Sequence, residues 1–183
     1  IKVCLSQMDE NSTAIGYLVA AIERRKELGY PPLTIMSCDN LPGNGVVLRN
    51  VVLAYAARKS SGLREYIEDN ISFPSTMVDR IVPSTSSRDI FNSESIGLSD
   101  KWPIYTEKFY QWAIESDFSG EMPDLESVGV NLSDDVYPFE LMKIRMLNGA
   151  HMALGCIGKL SGYDYVHDAM NCLLYTSDAA DEV

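Results

Sequence analysis

Ile15, Leu18, Val19 and Ile22 recur at three- and four-residue intervals, the spacing that gathers apolar side chains on one face of a helix. Ser12 is the candidate N-cap, and Gly29 followed by Pro31-Pro32 supplies the stop, so the pattern predicts a helix ending near Glu27. Leu48, Val51, Val52 and Tyr55 form a second stripe and predict a helix over 45–59; its terminal Arg58 and Lys59 suit the negative pole of the helix dipole. Leu63 to Asn70 reads as a third helical piece. Short apolar or β-branched runs at Lys2 to Ser6, Thr34 to Ser37 and Met77 to Val82 read as strands. Strands and helices in that alternation predict an α/β unit with mostly parallel pairing.

Farther along, Ser84 to Lys101 is rich in Ser, Asp and Asn without periodicity and reads as a surface loop with at most short turns. Tyr110 to Phe118 reads as a strand centred on Gln111-Trp112-Ala113-Ile114, and Gly120 to Leu132 as a connector. From Asp135 to Gly162 the pattern is that of one helix, with Pro138 acceptable in its first turn, and Asp164 to Asn171 starts another. The predicted fold class is α/β followed by all-α, with an α/β part over 1–132, a helical part over 133–171 and a tail over 172–183.

The helix from Asp135 carries Glu140, Lys143, Asn148 and His151. At the α-helical rotation of about 100° per residue, with Lys143 as zero, Glu140 falls at ~60°, His151 at ~80° and Asn148 at ~140°. A carboxylate, an ammonium, an amide and an imidazole then share one arc, opposite Met142, Met146, Ala150 and Ala153. Buried ionisable groups carry a desolvation penalty and seldom occur without partners, which makes the cluster a site candidate. A solvated helix face would give the same spacing.

Composition narrows the function classes. The 183 residues are 46% hydrophobic and 22% charged, ordinary for a soluble globular protein. A net charge of −11 argues against a nucleic-acid or anionic-membrane partner, which would require basic patches, and no apolar run approaches a membrane span. The cysteines at 4, 38, 156 and 172 form no Cys-x-x-Cys, and with His151 and His167 as the only histidines no zinc spacing exists. A metal-free site in a reducing cytoplasm is the expectation. The chain begins on Ile1 without an initiating Met, and Cys172-Leu-Leu-Tyr-Thr-Ser-Asp is similar to the in-frame translation of a transposase adapter used in sequencing libraries. The sequence is therefore read as a fragment with a non-native, undocked tail, the alternative being a natural acidic one.

Lys143-x-x-x-x-Asn148-x-x-His151 resembles the signature of the polyol-specific long-chain dehydrogenases, the family of mannitol 2-dehydrogenase and fructuronate reductase. Three more stretches are similar to that family in order and spacing: Thr34-Ile-Met-Ser-Cys-Asp-Asn40-Leu-Pro-Gly-Asn-Gly45, Phe73-Pro-Ser-Thr-Met-Val-Asp79-Arg-Ile-Val-Pro83, and Glu107-Lys-Phe-Tyr-Gln-Trp112-Ala-Ile-Glu-Ser-Asp-Phe118. Together they cover roughly residues 10 to 171. The resemblance implies the C-terminal part of a Rossmann-like domain joined to the start of a helical substrate domain. It implies an oxidoreductase acting on an open-chain polyol or sugar acid, with NAD as cofactor and NADP as the alternative. Gly43-Asn-Gly45 lacks the third glycine of a dinucleotide loop, and turn chemistry is the reading given to it. In the family that loop lies upstream of the region covered, so the cofactor-binding residues stay unknown and the fragment is expected to be inactive alone.

Oxidation of a secondary alcohol needs a hydride acceptor, a base for the hydroxyl proton and donors for the oxygen charge that develops. Lysine serves as such a base where burial disfavours its charged form, and the resemblance gives Lys143 that role. It makes Asn40 and Asn148 a pair of amide donors to one oxygen and His151 a partner of a substrate hydroxyl. Asp79 stands where the family has a substrate-contacting carboxylate. Glu140, one turn before Lys143, would pair with the ammonium and pass its proton to solvent. Asn40 reads equally well as a turn asparagine, Asp39 as a strand-end cap, and Arg80 as structural or anion-binding. D-Mannonate with D-fructuronate, and D-mannitol with D-fructose, are the expected substrate pairs. A catalytically silent sugar-binding module and a purely structural acidic domain are the other classes; oligomeric state is not legible.

Overall fold

The first stripe folds as α1, Ala14–Glu27, in a computed structural model that describes residues 13–171. Its N-cap is Thr13 rather than Ser12: the Thr13 hydroxyl accepts from the Gly16 N–H at 3.1 Å. Ser12, the strand read over 2–6 and the tail at 172–183 lie outside the described residues. Gly29, at φ +68°, turns the chain out of the helix where the stop was read. The second stripe gives α2, Asn44–Lys59, and the third α3, Ser61–Asn70, capped by the Ser60 hydroxyl on the Leu63 N–H.

Val19 and Ile22 of α1, Val52 and Ala56 of α2, and Leu63 and Ile67 of α3 close one core with Ile35, Ile71 and Phe73. Burying Ile22 or Ile67 is worth about 1.5–3 kcal/mol each against leaving it in water. The ion pair of Lys59 with Glu23, at 2.7 Å, ties the end of α2 to α1 at the rim of that core.

The sheet holds β1, Thr76–Asp79, β2, Gln111–Glu115, and β3, Asn131–Ser133, in the order β1-β2-β3. β1 and β2 are antiparallel, with Thr76 opposite Ile114, and β2 and β3 are parallel, so the pairing is mixed rather than mostly parallel. Thr34 to Ser37 does not form the expected strand. Only Thr34 pairs, in a parallel bridge with Ser72. The ladder stops there because Ile35 N–H bonds the Ser72 carbonyl at 3.0 Å and the next bond would have to come from residue 74, a proline with no N–H to donate. β3 lies inside the stretch read as a connector.

Residues 84–101 are not all loop, because α4 spans Ser87–Ser95. Its start is a reciprocal capping box: Asp89 N–H donates to the Ser86 hydroxyl, and the Asp89 carboxylate accepts from Ser86 N–H at 2.8 Å. The Ser86 hydroxyl, donating to the Asp89 carboxylate at 2.6 Å, and then the Ser86 N–H hold that carboxyl below its ordinary pKa. β1 ends at Asp79 rather than Val82, since Glu107 takes over: its carboxylate accepts from Ile81 N–H at 2.7 Å, and its carbonyl accepts from Nε and Nη2 of Arg80.

The chain divides into two units between Val136 and Tyr137. The second contains the long helix, in three pieces: α5, Tyr137–Met142, a π-helical turn over Lys143–Asn148, and α6, Gly149–Leu160. It ends in a Schellman motif, with Tyr163 N–H on the Gly158 carbonyl at 2.9 Å, Gly162 N–H on the Lys159 carbonyl, and Gly162 at φ +89°. α7, Val166–Met170, packs its Ala169 on Gly158.

Candidate functional site

Within the first unit the site residues sit at the ends of two adjacent segments, of which only β1 is a strand. The bridge of Thr34 with Ser72, and the bond of Ser37 with Thr76, run the 34–39 segment alongside the chain that becomes β1. Both therefore finish at the same edge, one at Asn40 and the other at Asp79, where ligands bind in open α/β sheets. Asn40 is exposed and Asp79 half-buried. The Leu41 N–H bonds back to the Asp39 carbonyl at 2.8 Å, closing a three-residue turn on Asn40. No described residue other than glycine has a positive φ, so this is an inverse γ-turn, a common way to leave a strand. Arg80, one of whose readings was anion binding, instead makes two bonds to the Glu107 carbonyl and lies 5.7 Å from the ring centroid of Tyr110.

Asn44, the first residue of α2, was not singled out from sequence. It is 2% exposed, and its side chain serves three segments. Nδ2 donates to the Asp39 carbonyl at 3.0 Å and to the Thr76 carbonyl at 2.9 Å, and lies 3.2 Å from the Thr76 hydroxyl; Oδ1 accepts from Thr76 N–H at 2.9 Å. The signal available was a lone amide between two glycines at a helix start. Gly43 adopts φ +59°, and Gly45 lies so close to Phe73 to Ser75 that a side chain would overlap their backbone. Turn chemistry accounts for Gly43 only.

In the second unit, Glu140 and Lys143 are each 8% exposed, whereas Asn148 and His151 are exposed. The side of the helix expected to be buried is the open one: Met146 is 66% exposed, and Met142, Ala150 and Ala153 are exposed too. α7 is short and meets α6 at Gly155 and Gly158, which leaves that stripe uncovered by the described part of this unit. The α-helical angles also change. In the π turn the hydrogen bonds run i→i+5, so fewer degrees separate successive residues. Asn148, five residues beyond Lys143, is carried back towards the lysine's side instead of standing ~140° away. The extra residue per turn is what lets Lys143, Asn148 and His151 share a face more closely than regular geometry allows.

No group of three His, Cys, Asp or Glu side chains among the described residues could hold a metal ion. A dinucleotide diphosphate needs a glycine-rich loop whose backbone N–H groups stay open to it. The Gly43-Asn44-Gly45 segment does not fit that group. Gly45 faces the Phe73 carbonyl, and the Asn44 amide is spent on Asp39 and Thr76.

These features define a class: an α/β unit with a small mixed sheet, followed by a second, helical unit. Residues 8–127 match the mannitol dehydrogenase Rossmann domain, and residues 135–179 the mannitol dehydrogenase C-terminal domain. The chain belongs to the mannitol dehydrogenase family. It is 42% identical over 182 residues to mannitol 2-dehydrogenase of Aspergillus clavatus, covering 96% of this chain and 36% of that protein. Among solved structures, a D-sorbitol dehydrogenase in substrate-free form is similar at 41% identity and a TM-score of 0.84, over 93% of this chain and 36% of its own. A mannitol 2-dehydrogenase of Pseudomonas fluorescens, solved as a ternary complex with NAD and D-mannitol, is similar at 45% identity and a TM-score of 0.74, over 90% of this chain and 34% of its own. The chain thus spans about a third of the length of these relatives.

Proposed function

We propose that the complete protein carrying this chain is an NAD-dependent oxidoreductase that interconverts a secondary alcohol and a ketone on an open-chain polyol or sugar acid. What carries the reading is Lys143: a lysine as buried as Glu140, one turn before it, where the helix widens into a π turn. Two ionisable groups buried on one helix each carry a desolvation penalty and are uncommon, which supports a functional use for the pair. Bound NAD supplies the hydride acceptor, and no described residue is assigned to holding it.

In this reading the Lys143 amine takes the hydroxyl proton as the carbon gives up its hydride. The amides of Asn40 and Asn148 donate to the oxygen as its charge rises, which lowers the barrier only if they are aimed before the reaction begins. His151 and Asp79 hold substrate hydroxyls, and Glu140 returns the lysine's proton to solvent. D-Mannitol with D-fructose and D-mannonate with D-fructuronate are the substrate pairs proposed; the two relatives named for mannitol support the first.

The test is to express the complete reading frame and follow NADH absorbance with D-mannitol, D-sorbitol and D-mannonate. Reduction of NAD by one of them supports the reading. Binding of the sugars without any turnover would show a silent binding module instead.

A further inference from the structure

The Thr76 backbone faces away from its neighbour in the sheet. Glu115 N–H bonds the Ser75 carbonyl at 3.0 Å, and the Ser75 N–H donates to the Glu115 carboxylate at 2.7 Å, so Ser75 faces Glu115 at a bonded position of the ladder. In an antiparallel ladder the next pair, Thr76 with Ile114, is then a non-bonded one, and the Thr76 N–H and C=O point outward from the β1 edge. A buried edge with both groups unmet would be strongly unfavourable. Asn44 meets both with one side-chain amide, standing in for a neighbouring strand at 2.9 Å on each side. Its second N–H reaches the Asp39 carbonyl at 3.0 Å.

That carbonyl belongs to the peptide group linking Asp39 to Asn40, and it also closes the γ-turn by accepting from Leu41 N–H. We propose that Asn44 is the positioning residue for Asn40. Through the Asp39 carbonyl it locks the peptide plane from which Asn40 departs, and through Thr76 it references that plane to the strand that ends in Asp79. The inference rests on the reading of Asn40 as a donor to the reacting oxygen. Gly45 serves the same arrangement, because only a residue without a side chain lets the start of α2 approach Phe73 to Ser75 closely enough for Asn44 to reach Thr76. Catalytic donors misplaced by about 1 Å lose of the order of a hundredfold in rate, so a rigid hold on Asn40 has a kinetic consequence.

The experiment uses the complete gene product with Asn44→Ala, Asn44→Ser, Asn40→Ala and the Asn40→Ala/Asn44→Ala double variant. Asn44→Ser adds no charge and leaves one hydroxyl proton, which cannot donate to both the Asp39 and the Thr76 carbonyls, so it is read in parallel should Asn44→Ala fail to fold. Two measurements are made: amide hydrogen exchange of peptides covering 37–43, and kcat with KM for D-mannitol, D-mannonate and NAD. Expected are faster exchange in 37–43 without global unfolding, a fall in kcat of roughly tenfold to a hundredfold with KM for NAD little changed, and a double variant no slower than Asn40→Ala alone. Exchange in 37–43 identical to wild type overturns the inference whatever the substrate. So does a double variant slower by the product of the single effects, which would make Asn44 a structural residue acting elsewhere. If Asn40→Ala turns over normally, the reading of Asn40 itself has failed; if Asn40→Ala is slow and Asn44→Ala is not, only the inference has.

Discussion

A side chain at Gly45 would place its Cβ 2.6 Å from the backbone nitrogen of Ser75. The atom it would strike is main chain at the entrance to β1, which cannot rotate aside as a flexible side chain could. Gly45→Ala is therefore expected to push α2 off the 73–75 segment and destabilise the protein by about 3 kcal/mol, the upper range for overpacking. Gly43→Ala should be milder, about 1–2 kcal/mol, because it meets nothing within 4 Å and suffers only the penalty of a left-handed φ. Thermal or denaturant unfolding of the two variants checks the order; a Gly45→Ala protein as stable as Gly43→Ala would show that α2 can shift freely.

Removing the proposed base separates chemistry from binding. Lys143→Ala in the complete protein should lower kcat by about a hundredfold to ten-thousandfold, the range for losing a positioned general base, with substrate affinity much less affected. Single-turnover and equilibrium-binding measurements together check this. Turnover within a few-fold of wild type would exclude Lys143 as the base.

The start of α4 should respond to acid. Asp89 has a lower pKa folded than unfolded, because the carboxylate is the form that accepts from Ser86. A depressed carboxylate contributes stability above the unfolded pKa and loses it as pH falls through the folded value. Protection from hydrogen exchange over 86–96, corrected for the intrinsic pH dependence of amide exchange, should therefore fall on acidification through the carboxylate range, and Asp89→Asn should abolish that step. A step of the same size in Asp89→Asn would place its origin in another group.

Arg80 is assigned here to architecture. Its guanidinium makes two bonds to one carbonyl and lies near Tyr110, a geometry the point charge of a lysine cannot reproduce. Arg80→Lys should lower stability modestly, by about 0.5–1 kcal/mol for an exposed arrangement, without changing the ratio of kcat/KM for D-mannonate over D-mannitol. A selective loss of the acid substrate would return Arg80 to anion recognition.

Much of the fold is legible in local pattern. The helices α1 and α2 announce themselves by apolar stripes, and Gly29 and Gly162 by the left-handed turns that only glycine makes cheaply. α4 escaped because its signal is polar, a serine and an aspartate three positions apart in a stretch without an apolar stripe. β3 escaped because three residues carry no periodicity of their own and become a strand only when β2 lies alongside. The site was legible in the same uneven way. Lys143, Asn148 and His151 stand close enough in sequence for helical spacing to group them, whereas Asn44 gave only the faint sign of an amide between two glycines, since its worth depends on Thr76, 32 positions away.

What the sequence by itself determined is what depends on neighbours within a turn or two: the helical stripes, their stops, and the polar group on the second unit's helix. Only the tertiary structure decided which backbone groups would be left over at the β1 edge and which side chain would meet them. It decided too that Glu140 and Lys143 would be buried while the methionines opposite stay exposed, and that the helix between would widen into a π turn. Periodicity reports which residues share a face; which face loses its water is set by what packs against it, and that is a property of the whole chain.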